Sequence, residues 1–254
     1  MRNYLCFLLL LALATSCMTK RELVYMQSQQ FKENSPTLVP TVHKLYKLQS
    51  NDVLSIKVLS LQPEMSELFN ITNPTNAFGV ADQGSMYLSG YSVDEEGNIE
   101  LPTLGKLKVS GLTTSETQEL IQRNLNKYIT NSTVVVKLIS FKISVLGEVR
   151  NPGYFYVYNE QANLFEGLSL AGDLTQGANR HNVKLIRQTP GGSEVVLLDL
   201  TAADVVQSPY YYLMPNDVIY VEPRQTQLRR DNLIVLNAVF GAVSTAALLL
   251  NFLR

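Results

Sequence analysis

Two aspartates lie at equivalent positions of a sequence pattern, the repeated turn phrase, which occurs twice in the chain. The pattern Tyr-x-Leu-x-x-Asn-Asp-Val-apolar-x-apolar fills residues 46–56 and again 211–221. Asp52 and Asp217 could form a carboxylate pair, the arrangement that glycoside hydrolases use. The alternative is structural, because an aspartate at a tight turn accepts hydrogen bonds from its own backbone. We interpret both residues as turn caps, so the sequence predicts no catalytic pair.

The residue before each aspartate supports the turn interpretation. Asn51 and Asn216 hold these positions, and asparagine tolerates a positive φ better than most residues other than glycine. An alternating strand follows each turn.

Other residues with catalytic or metal-binding chemistry do not cluster in the sequence. His43 and His181 are the two histidines, and neither lies in a nucleophile-elbow or zinc-protease motif. The acidic run at 94–96 has no histidine or cysteine nearby, which favours a solvated turn over a metal site. Arg180 and His181 fall in a polar stretch and are expected in a surface loop. The sequence therefore predicts no catalytic residue, no metal site and no cofactor.

The middle of the chain predicts two strands joined by a turn. Ile143 and Val145 share one parity of an alternating run, which is the period of a half-buried strand. Pro152 and Gly153 then suit the central positions of a type II turn, because proline fixes φ at the first and glycine accepts φ > 0 at the second. Residues 154–158 return as a strand with three tyrosines on one face.

A short helix is expected after this hairpin. Asn163 can cap its start, and Glu166, three residues later, completes a capping box. Gly172 suits its end, where a positive φ is common. The residues expected on the buried face are Leu164, Leu168 and Ala171, and a further strand is predicted at 183–186.

The region upstream predicts a hairpin, a helix and a strand. The turn Glu96-Gly97-Asn98 separates two short strand candidates at 92–93 and 99–101. Thr113 and Glu116 form a second capping box. The buried stripe of this helix is expected at Ile121, Leu125 and Tyr128, and a β-branched strand at 133–139.

The order of these elements resembles a known family. The words GEVRNPG, LAGDLT and VKLIR, with the short helix among them, resemble the soluble-ligand-binding β-grasp (SLBB) module of the outer-membrane polysaccharide export family. The pattern V-x-x-x-G-x-I-x-L-P-x-L-G-x-(L/V)-x-V-x-G-L-T, followed by a helix and a strand, is similar to the export domain of that family. The repeated turn phrase resembles its pGDvlxI signature, with Asn51 and Asn216 in place of the usual glycine.

The resemblance covers about residues 43–223 and implies an α+β fold. A small mixed α/β export domain would occupy 43–139. An SLBB-like β-grasp domain with its returning strand would occupy 140–224.

The start of the chain resembles a lipoprotein signal. A positive n-region, an apolar stretch and a run of small residues fill 1–16, and this is too short for a membrane span of roughly 20 apolar residues. Ala-Thr-Ser-Cys resembles the bacterial lipobox, which implies that Cys17 is the lipidated first residue and that membrane lipid is a partner. The alternative is an ordinary secretory signal with an incidental cysteine. Residues 17–42 are polar and predict a tether.

The end of the chain predicts a C-terminal transmembrane helix. Residues 232–253 form a long stretch without a charged residue. As an α-helix they would span about 30 Å. Polar or small residues recur along one face of this helix, namely Asn237, Gly241, Ser244 and Asn251. The stripe suits helix–helix packing. The family resemblance implies instead that it lines the water-filled lumen of a barrel built from several subunits.

The resemblance implies a non-enzymatic role in polysaccharide export. Subunits would form a homo-oligomeric ring, such as an octamer, in the outer membrane, with the bulk of the chain in the periplasm. Capsular or extracellular polysaccharide would pass through this channel, delivered by an inner-membrane co-polymerase that regulates chain length. The net charge of -1 gives no general attraction to nucleic acid.

Two other functions are compatible with the sequence. A membrane-anchored glycan- or small-ligand-binding lipoprotein would have the same fold without channel activity, because a fold does not fix a function. A binding module needs no oligomer, whereas a channel of single helices requires one. An anchored glycan hydrolase would need an acid and a base, which the sequence does not offer convincingly.

Overall fold

The described chain has two hydrophobic cores, and Leu138 packs against both. The computed structural model describes residues 23–61, 64, 68–70, 90–189, 191–224, 240–245 and 249. The first core draws its buried residues from 48–136 and the second from 141–221. Each core combines one α-helix with a β-sheet, antiparallel in the first domain and mixed in the second, so the α+β prediction is confirmed for this part of the chain.

The first domain is a three-stranded antiparallel sheet with one helix and one hairpin. Its elements are β1 (Val53–Ser60), β2 (Tyr91–Ser92), β3 (Asn98–Leu101), β4 (Gly105–Lys108), α1 (Thr114–Leu125) and β5 (Ser132–Leu138). The sheet order is β2-β1-β5, and α1 packs on β5. The pair β3-β4 forms a separate two-stranded sheet.

Helix α1 begins at the predicted capping box. The Thr113 hydroxyl accepts the N–H of Glu116, and the Glu116 carboxylate accepts the N–H of Thr113. Ile121 and Leu125 are buried, as predicted. The prediction for Tyr128 is wrong, since its side chain is exposed. The helix ends at Leu125, so its period does not reach residue 128, and Ile129 is buried instead.

The prediction of a hairpin around Gly97 is wrong, because the strands on either side of this turn pair with other strands. The chain does turn there, because Gly97 has φ +81° and the Asp94 N–H donates to the Asn98 carbonyl at 2.8 Å. However, β2 pairs with β1, and β3 pairs with β4. The turn between β3 and β4 contains Thr103 at φ +66°. A β-branched residue rarely adopts this conformation, so Thr103 itself does not indicate the turn, although Pro102 and Gly105 on either side of it are typical turn residues.

The second domain is a five-stranded mixed sheet with a short helix on one face. Its elements are β6 (Lys142–Gly147), β7 (Gly153–Tyr156), β8 (Ala162–Asn163), α2 (Leu164–Leu170), β9 (Ala178–Thr189), β10 (Gly192–Leu198), a 3₁₀ helix (Ala203–Gln207), β11 (Tyr212–Leu213) and β12 (Val218–Pro223). The sheet order is β10-β9-β12-β6-β7. Strand β12 runs parallel to β6 and antiparallel to β9, so the last of these strands along the chain is the central strand of the sheet.

Helix α2 confirms the local predictions. Asn163 and Glu166 exchange the two hydrogen bonds of a capping box, each at 3.0 Å, and Gly172 ends the helix region with φ +76°. Gly167 lies so close to the sheet that a Cβ would be 2.9 Å from Ile143 Cδ1 and 3.2 Å from Ile219 Cδ1. The residues predicted for the buried face, Leu164, Leu168 and Ala171, are all buried.

The predicted type II turn at Pro152-Gly153 is wrong. Gly153 begins β7 and pairs with Val145, and it does not have the positive φ that this turn type requires. The positive φ occurs earlier, at Gly147, where φ is +89°. A Cβ on Gly147 would lie 2.0 Å from the carbonyl oxygen of Val221. The glycine is therefore required where β6 leaves the sheet beside β12.

Strand β9 is longer than the predicted 183–186 and contains Arg180 and His181. The expectation of a loop is therefore wrong for both residues, although His181 is exposed. Arg180 is buried, and its guanidinium lies over the ring of Tyr25 from the N-terminal part of the chain, 5.4 Å from the ring centroid.

Part of the predicted tether is docked on the second domain. The N–H groups of Met26 and Gln27 donate to the carbonyls of Leu200 and Thr201, at 3.0 and 2.6 Å, and Gln27 forms a parallel bridge with Ala202. We call residues 23–27 the docked arm. The predicted signal at 1–16 and the tether residues 17–22 lie outside the described residues.

The predicted C-terminal transmembrane helix falls mostly outside the described residues. Residues 240–245 and 249 are helical, and their side chains are exposed. Within the part of the chain that the structure describes, no helix has the length and apolar character needed to cross a membrane.

We predict that Gly147→Ala destabilises the second domain by about 3 kcal/mol or more, because the new Cβ collides with backbone and the residue also has positive φ. Gly105→Ala is the matched control, since Gly105 has φ +72° and nothing lies within 4 Å of the position that a Cβ would occupy. This control should cost about 1–2 kcal/mol, which is the strain of a left-handed backbone alone. Urea unfolding followed by tyrosine fluorescence would measure both, as the chain has 13 tyrosines and no tryptophan. Equal losses for the two variants would contradict the prediction.

Candidate functional site

The two aspartates of the repeated phrase close equivalent turns. The Asp52 carboxylate accepts the N–H of Gln49 at 2.9 Å, and the Asp217 carboxylate accepts the N–H of Met214 at 2.8 Å. In both turns the bond reaches three residues back along the chain. The preceding residues have positive φ, +72° at Asn51 and +66° at Asn216. Both aspartates are buried, so each is engaged in its own turn.

The two turns differ in the side chains that donate hydrogen bonds to the carboxylate. Asp52 accepts hydrogen bonds from the hydroxyls of Tyr46 at 2.8 Å and Ser140 at 3.4 Å. Ser140 also accepts the N–H of Val53, so it links the turn to the start of β1. Burial raises the pKa of Asp52 above its usual value, while the Gln49 N–H and the two hydroxyls act in the opposite direction.

Asp217 instead has a cationic partner. The Arg187 guanidinium donates to both carboxylate oxygens, with Nε–Oδ1 at 3.0 Å and Nη2–Oδ2 at 2.7 Å. Arg187 also donates to the Tyr212 carbonyl at 2.9 Å and lies over the Tyr210 ring. Burial raises the pKa of Asp217, and the Arg187 guanidinium opposes this rise. Both side chains are buried, so this pair connects β9 to the start of β12.

These contacts give neither aspartate a catalytic geometry. A glycoside hydrolase needs two carboxyl groups that flank one substrate bond. Asp52 and Asp217 have separate sets of partners, and their hydrogen bonds are made within the protein. Across the described residues no group of three histidine, cysteine, aspartate or glutamate side chains is placed to hold a metal ion. In the acidic turn at 94–96, the Asp94 carboxylate accepts the Asn98 N–H, and this hydrogen bond lowers the pKa of Asp94.

A cleft of about 140 Å³ lies between the two domains. His43 lies edge-to-face against Tyr212, with ring centroids 4.8 Å apart, and the Thr114 hydroxyl donates to Glu160 across the domain boundary at 3.4 Å. The residues that line the cleft include His43, Tyr46, Thr114, Glu160, Tyr212 and Met214. Aromatic faces beside hydroxyl and carboxylate groups can hold a small polar ligand, such as one sugar unit. The sequence does not single out this site, because its walls come from several segments that lie far apart in the chain.

The second histidine forms a small surface cluster. His181 Nδ1 is 3.1 Å from Asp199 Oδ2 and 3.1 Å from Thr201 Oγ1, and the Thr201 hydroxyl also donates to Asp199 at 2.6 Å. Both partners approach the same ring nitrogen. This arrangement cannot relay a proton through the imidazole from a nucleophile to a carboxylate, so it is a structural contact beside the docked arm.

The docked arm is held by one aromatic residue that the sequence patterns do not single out. The Tyr25 hydroxyl donates to Asp173 at 2.6 Å, and its ring packs edge-to-face on Phe165. The Arg180 guanidinium also lies over this ring, and its Nε has no hydrogen-bond partner among the described residues. Burial raises the pKa of Tyr25, and the Asp173 carboxylate adds to this effect. An aromatic residue between Val24 and Met26 in a polar segment is the signal that could have identified it.

The residues predicted to act at the membrane are only partly described. Cys17, Asn237 and Asn251 lie outside the described residues. Gly241 and Ser244 lie on the helical segment 240–245, where the Ser244 hydroxyl donates to the Gly241 carbonyl at 2.9 Å. Lipidation and the lumen or packing role of the stripe therefore stay predictions.

Two family models match the chain in succession. The model described as "Polysaccharide biosynthesis/export protein" matches residues 40–139, and the model described as "SLBB domain" matches residues 141–221. The chain belongs to the polysaccharide export protein family. The matched segments coincide with the two hydrophobic cores, and the repeated turn phrase occurs once in each segment.

Several relatives are similar over part of the chain. The EPS I polysaccharide export outer membrane protein EpsA of Ralstonia solanacearum is 29% identical over 187 residues, which is 71% of this chain and 48% of that protein. The EpsA protein of Ralstonia nicotianae is also 29% identical, over 191 residues. The polysialic acid transport protein KpsD of Escherichia coli is 35% identical over 94 residues, or 34% of this chain and 16% of KpsD. The chain thus spans about half the length of the EpsA relatives.

The different partners of the two turn aspartates lead to a stability prediction. Asp217→Asn leaves the Arg187 charge buried without its counter-ion and should destabilise the second domain by about 3–5 kcal/mol. Asp52→Asn is the matched control, because it changes the same turn position where the partners are hydroxyls and one N–H, and it should cost about 1–2 kcal/mol. Urea unfolding of the purified chain would measure both losses. A larger loss for Asp52→Asn would contradict this account.

Proposed function

We propose that this protein is a subunit of a homo-oligomeric outer-membrane channel that exports capsular or extracellular polysaccharide. The observation that carries the proposal is the succession of an export domain and an SLBB domain in one chain. The names of the relatives, an outer-membrane export protein and a polysialic acid transport protein, point to the same process. In this proposal the protein is not an enzyme, in keeping with the engagement of both turn aspartates inside the fold.

The remaining parts of the proposal rest on the sequence. The Ala-Thr-Ser-Cys motif supports lipidation of Cys17 and anchoring in the outer-membrane lipid, with the two domains in the periplasm. The uncharged stretch at 232–253 supports a membrane-embedded crown of one helix per subunit. Because one helix cannot enclose a lumen, the channel requires a ring, such as an octamer. An inner-membrane co-polymerase would supply the polysaccharide chain.

A second candidate is a membrane-anchored lipoprotein that binds a glycan or another small ligand without forming a channel. The cleft between the domains favours it, because aromatic and hydroxyl-bearing side chains line a volume of about 140 Å³. This function needs one subunit only. The two candidates therefore differ in whether loss of the protein stops export of long polysaccharide chains.

We predict that a clean deletion in the native host abolishes surface polysaccharide while polysaccharide remains inside the cell. Extraction and immunostaining of surface glycan, beside measurement of intracellular glycan, would test this. Complementation with the Cys6→Ser chain should restore export, because Cys6 lies in the predicted signal. The Cys17→Ser chain should restore it poorly, and less of it should reach the outer-membrane fraction.

Unchanged surface polysaccharide in the deletion strain would contradict the export proposal and would favour the ligand-binding candidate. If Cys17→Ser restores export and fractionates normally, the lipid anchor would be contradicted and the export proposal would stand.

A further inference from the structure

The five-stranded sheet of the second domain has two uncovered edges. In the order β10-β9-β12-β6-β7, the outer side of β10 and the outer side of β7 face no other strand among the described residues. Strand β10 has seven residues and contains neither proline nor lysine, the residue types that commonly protect an edge. Its one charged residue, Glu194, accepts a hydrogen bond from the Tyr210 hydroxyl of the same domain at 2.9 Å. An unprotected edge of this length is a template for pairing with another chain.

The docked arm shows that this side of the sheet accepts a backbone partner. The arm bonds to Leu200 and Thr201, directly after the end of β10, and Leu200 in turn donates to the Arg180 carbonyl on β9. Within the described chain, the arm therefore covers the extension of the β10 edge and makes no backbone hydrogen bond to Gly192–Leu198. The longer part of the edge is left for a different partner.

The strand directions make the two edges complementary. Strand β10 is antiparallel to β9, β9 is antiparallel to β12, β12 is parallel to β6, and β6 is antiparallel to β7. It follows that β10 and β7 run in opposite directions within one sheet. When two copies stand side by side in the same orientation, β10 of one copy meets β7 of the next as an antiparallel pair. Such a head-to-tail contact uses two different surfaces and can close into a ring.

The side chains at the two edges are also matched. The strand registers align Val195, Ile186, Val218, Ser144 and Tyr154 in one row across the sheet, on the face opposite α2. At the ends of this row, Val195 is 58% exposed and Tyr154 is 63% exposed. A β-branched residue opposite an aromatic one is a favourable cross-strand pair. Leu197, 62% exposed on the same face of β10, extends the apolar surface at this edge.

We propose that β10 of one subunit pairs antiparallel with β7 of a second copy of this chain, which joins the SLBB-domain sheets into one continuous ring. The proposal rests on the proposed function, in which the chain assembles as a homo-oligomeric ring, and it identifies the surface that forms the contact. A two-fold contact of β10 with β10 would use one edge twice and would leave β7 uncovered.

Disulfide cross-linking of the full-length chain tests this pairing. The sequence has two cysteines, Cys6 in the predicted signal and Cys17, so the parent chain serves as the background control. Opposed residues of an antiparallel pair have Cβ atoms about 5 Å apart, within reach of a disulfide after small adjustments. Co-expression of Val195→Cys with Tyr154→Cys should give cross-linked dimers, and the double variant in one chain should give a ladder of higher species.

The register between subunits is tested by moving one cysteine along β10. Ser193→Cys and Leu197→Cys place the thiol two residues away on the same face, and one of the three positions should cross-link to Tyr154→Cys most efficiently. Val196→Cys is the matched negative control, because its side chain points to the opposite face of the same strand. Leu59→Cys is a second control, exposed on the central strand β1 of the other domain.

A variant without disulfides gives an independent readout. Val195→Lys places a charge in the proposed contact, and in mild detergent its assembly should fall to the mass of single subunits while its far-ultraviolet circular dichroism stays that of the parent chain. Leu59→Lys should leave the assembly intact.

The outcomes separate this inference from the export proposal. Cross-linking of Val195→Cys to itself would overturn the inference in favour of a two-fold contact. Rings that form no cross-link from any β10 position and that tolerate Val195→Lys would also overturn it, and the export proposal would stand. A parent chain that is monomeric by mass would overturn both.

Discussion

Strand β12 enters the centre of the second-domain sheet although it follows the other four strands along the chain, and specific contacts hold both of its ends. At its start, the Asp217 carboxylate accepts two hydrogen bonds from Arg187 on β9 and one from the Met214 N–H. At its end, the Val221 carbonyl lies against Gly147, where no side chain fits. The parallel pair β6–β12 therefore lies between the Asp217 contacts at one end and the Gly147 contact at the other. Without β12, the hairpin β9–β10 would have no strand pairing to connect it to β6 and β7.

The repeated turn shows how one local motif serves two environments. Both copies use asparagine at positive φ and an aspartate that accepts an N–H three residues back. The first aspartate has Tyr46 and Ser140 as partners, and the second has Arg187. The turn itself is therefore encoded locally, whereas the side chains that donate to the aspartate differ with the elements that pack against each turn. In the second domain the donor is a buried cation, because β9 brings Arg187 beside the turn.

The sequence predicts features whose causes are local. Both capping boxes and the buried faces at Ile121, Leu125, Leu164 and Leu168 follow from spacing alone, and they are present. Features that depend on distant partners are not predictable in this way. The pairing of β2 with β1, the docking of Tyr25 on Arg180 and the lining of the cleft each join segments far apart in the chain. The positive φ belongs to Gly147 and not to Gly153 for the same reason, because the close approach of Val221 is a tertiary contact.

The proposed ring of subunits rests on features of the second domain. The second domain exposes apolar side chains at both sheet edges, and the docked arm ties the region after the predicted anchor to the same domain. The most direct test of the channel account is the mass and shape of the full-length lipidated protein in mild detergent, beside a chain that ends at Arg230. The account predicts rings of several subunits with a membrane-embedded crown, and loss or loosening of the crown on truncation. Monodisperse monomers for both chains would contradict it.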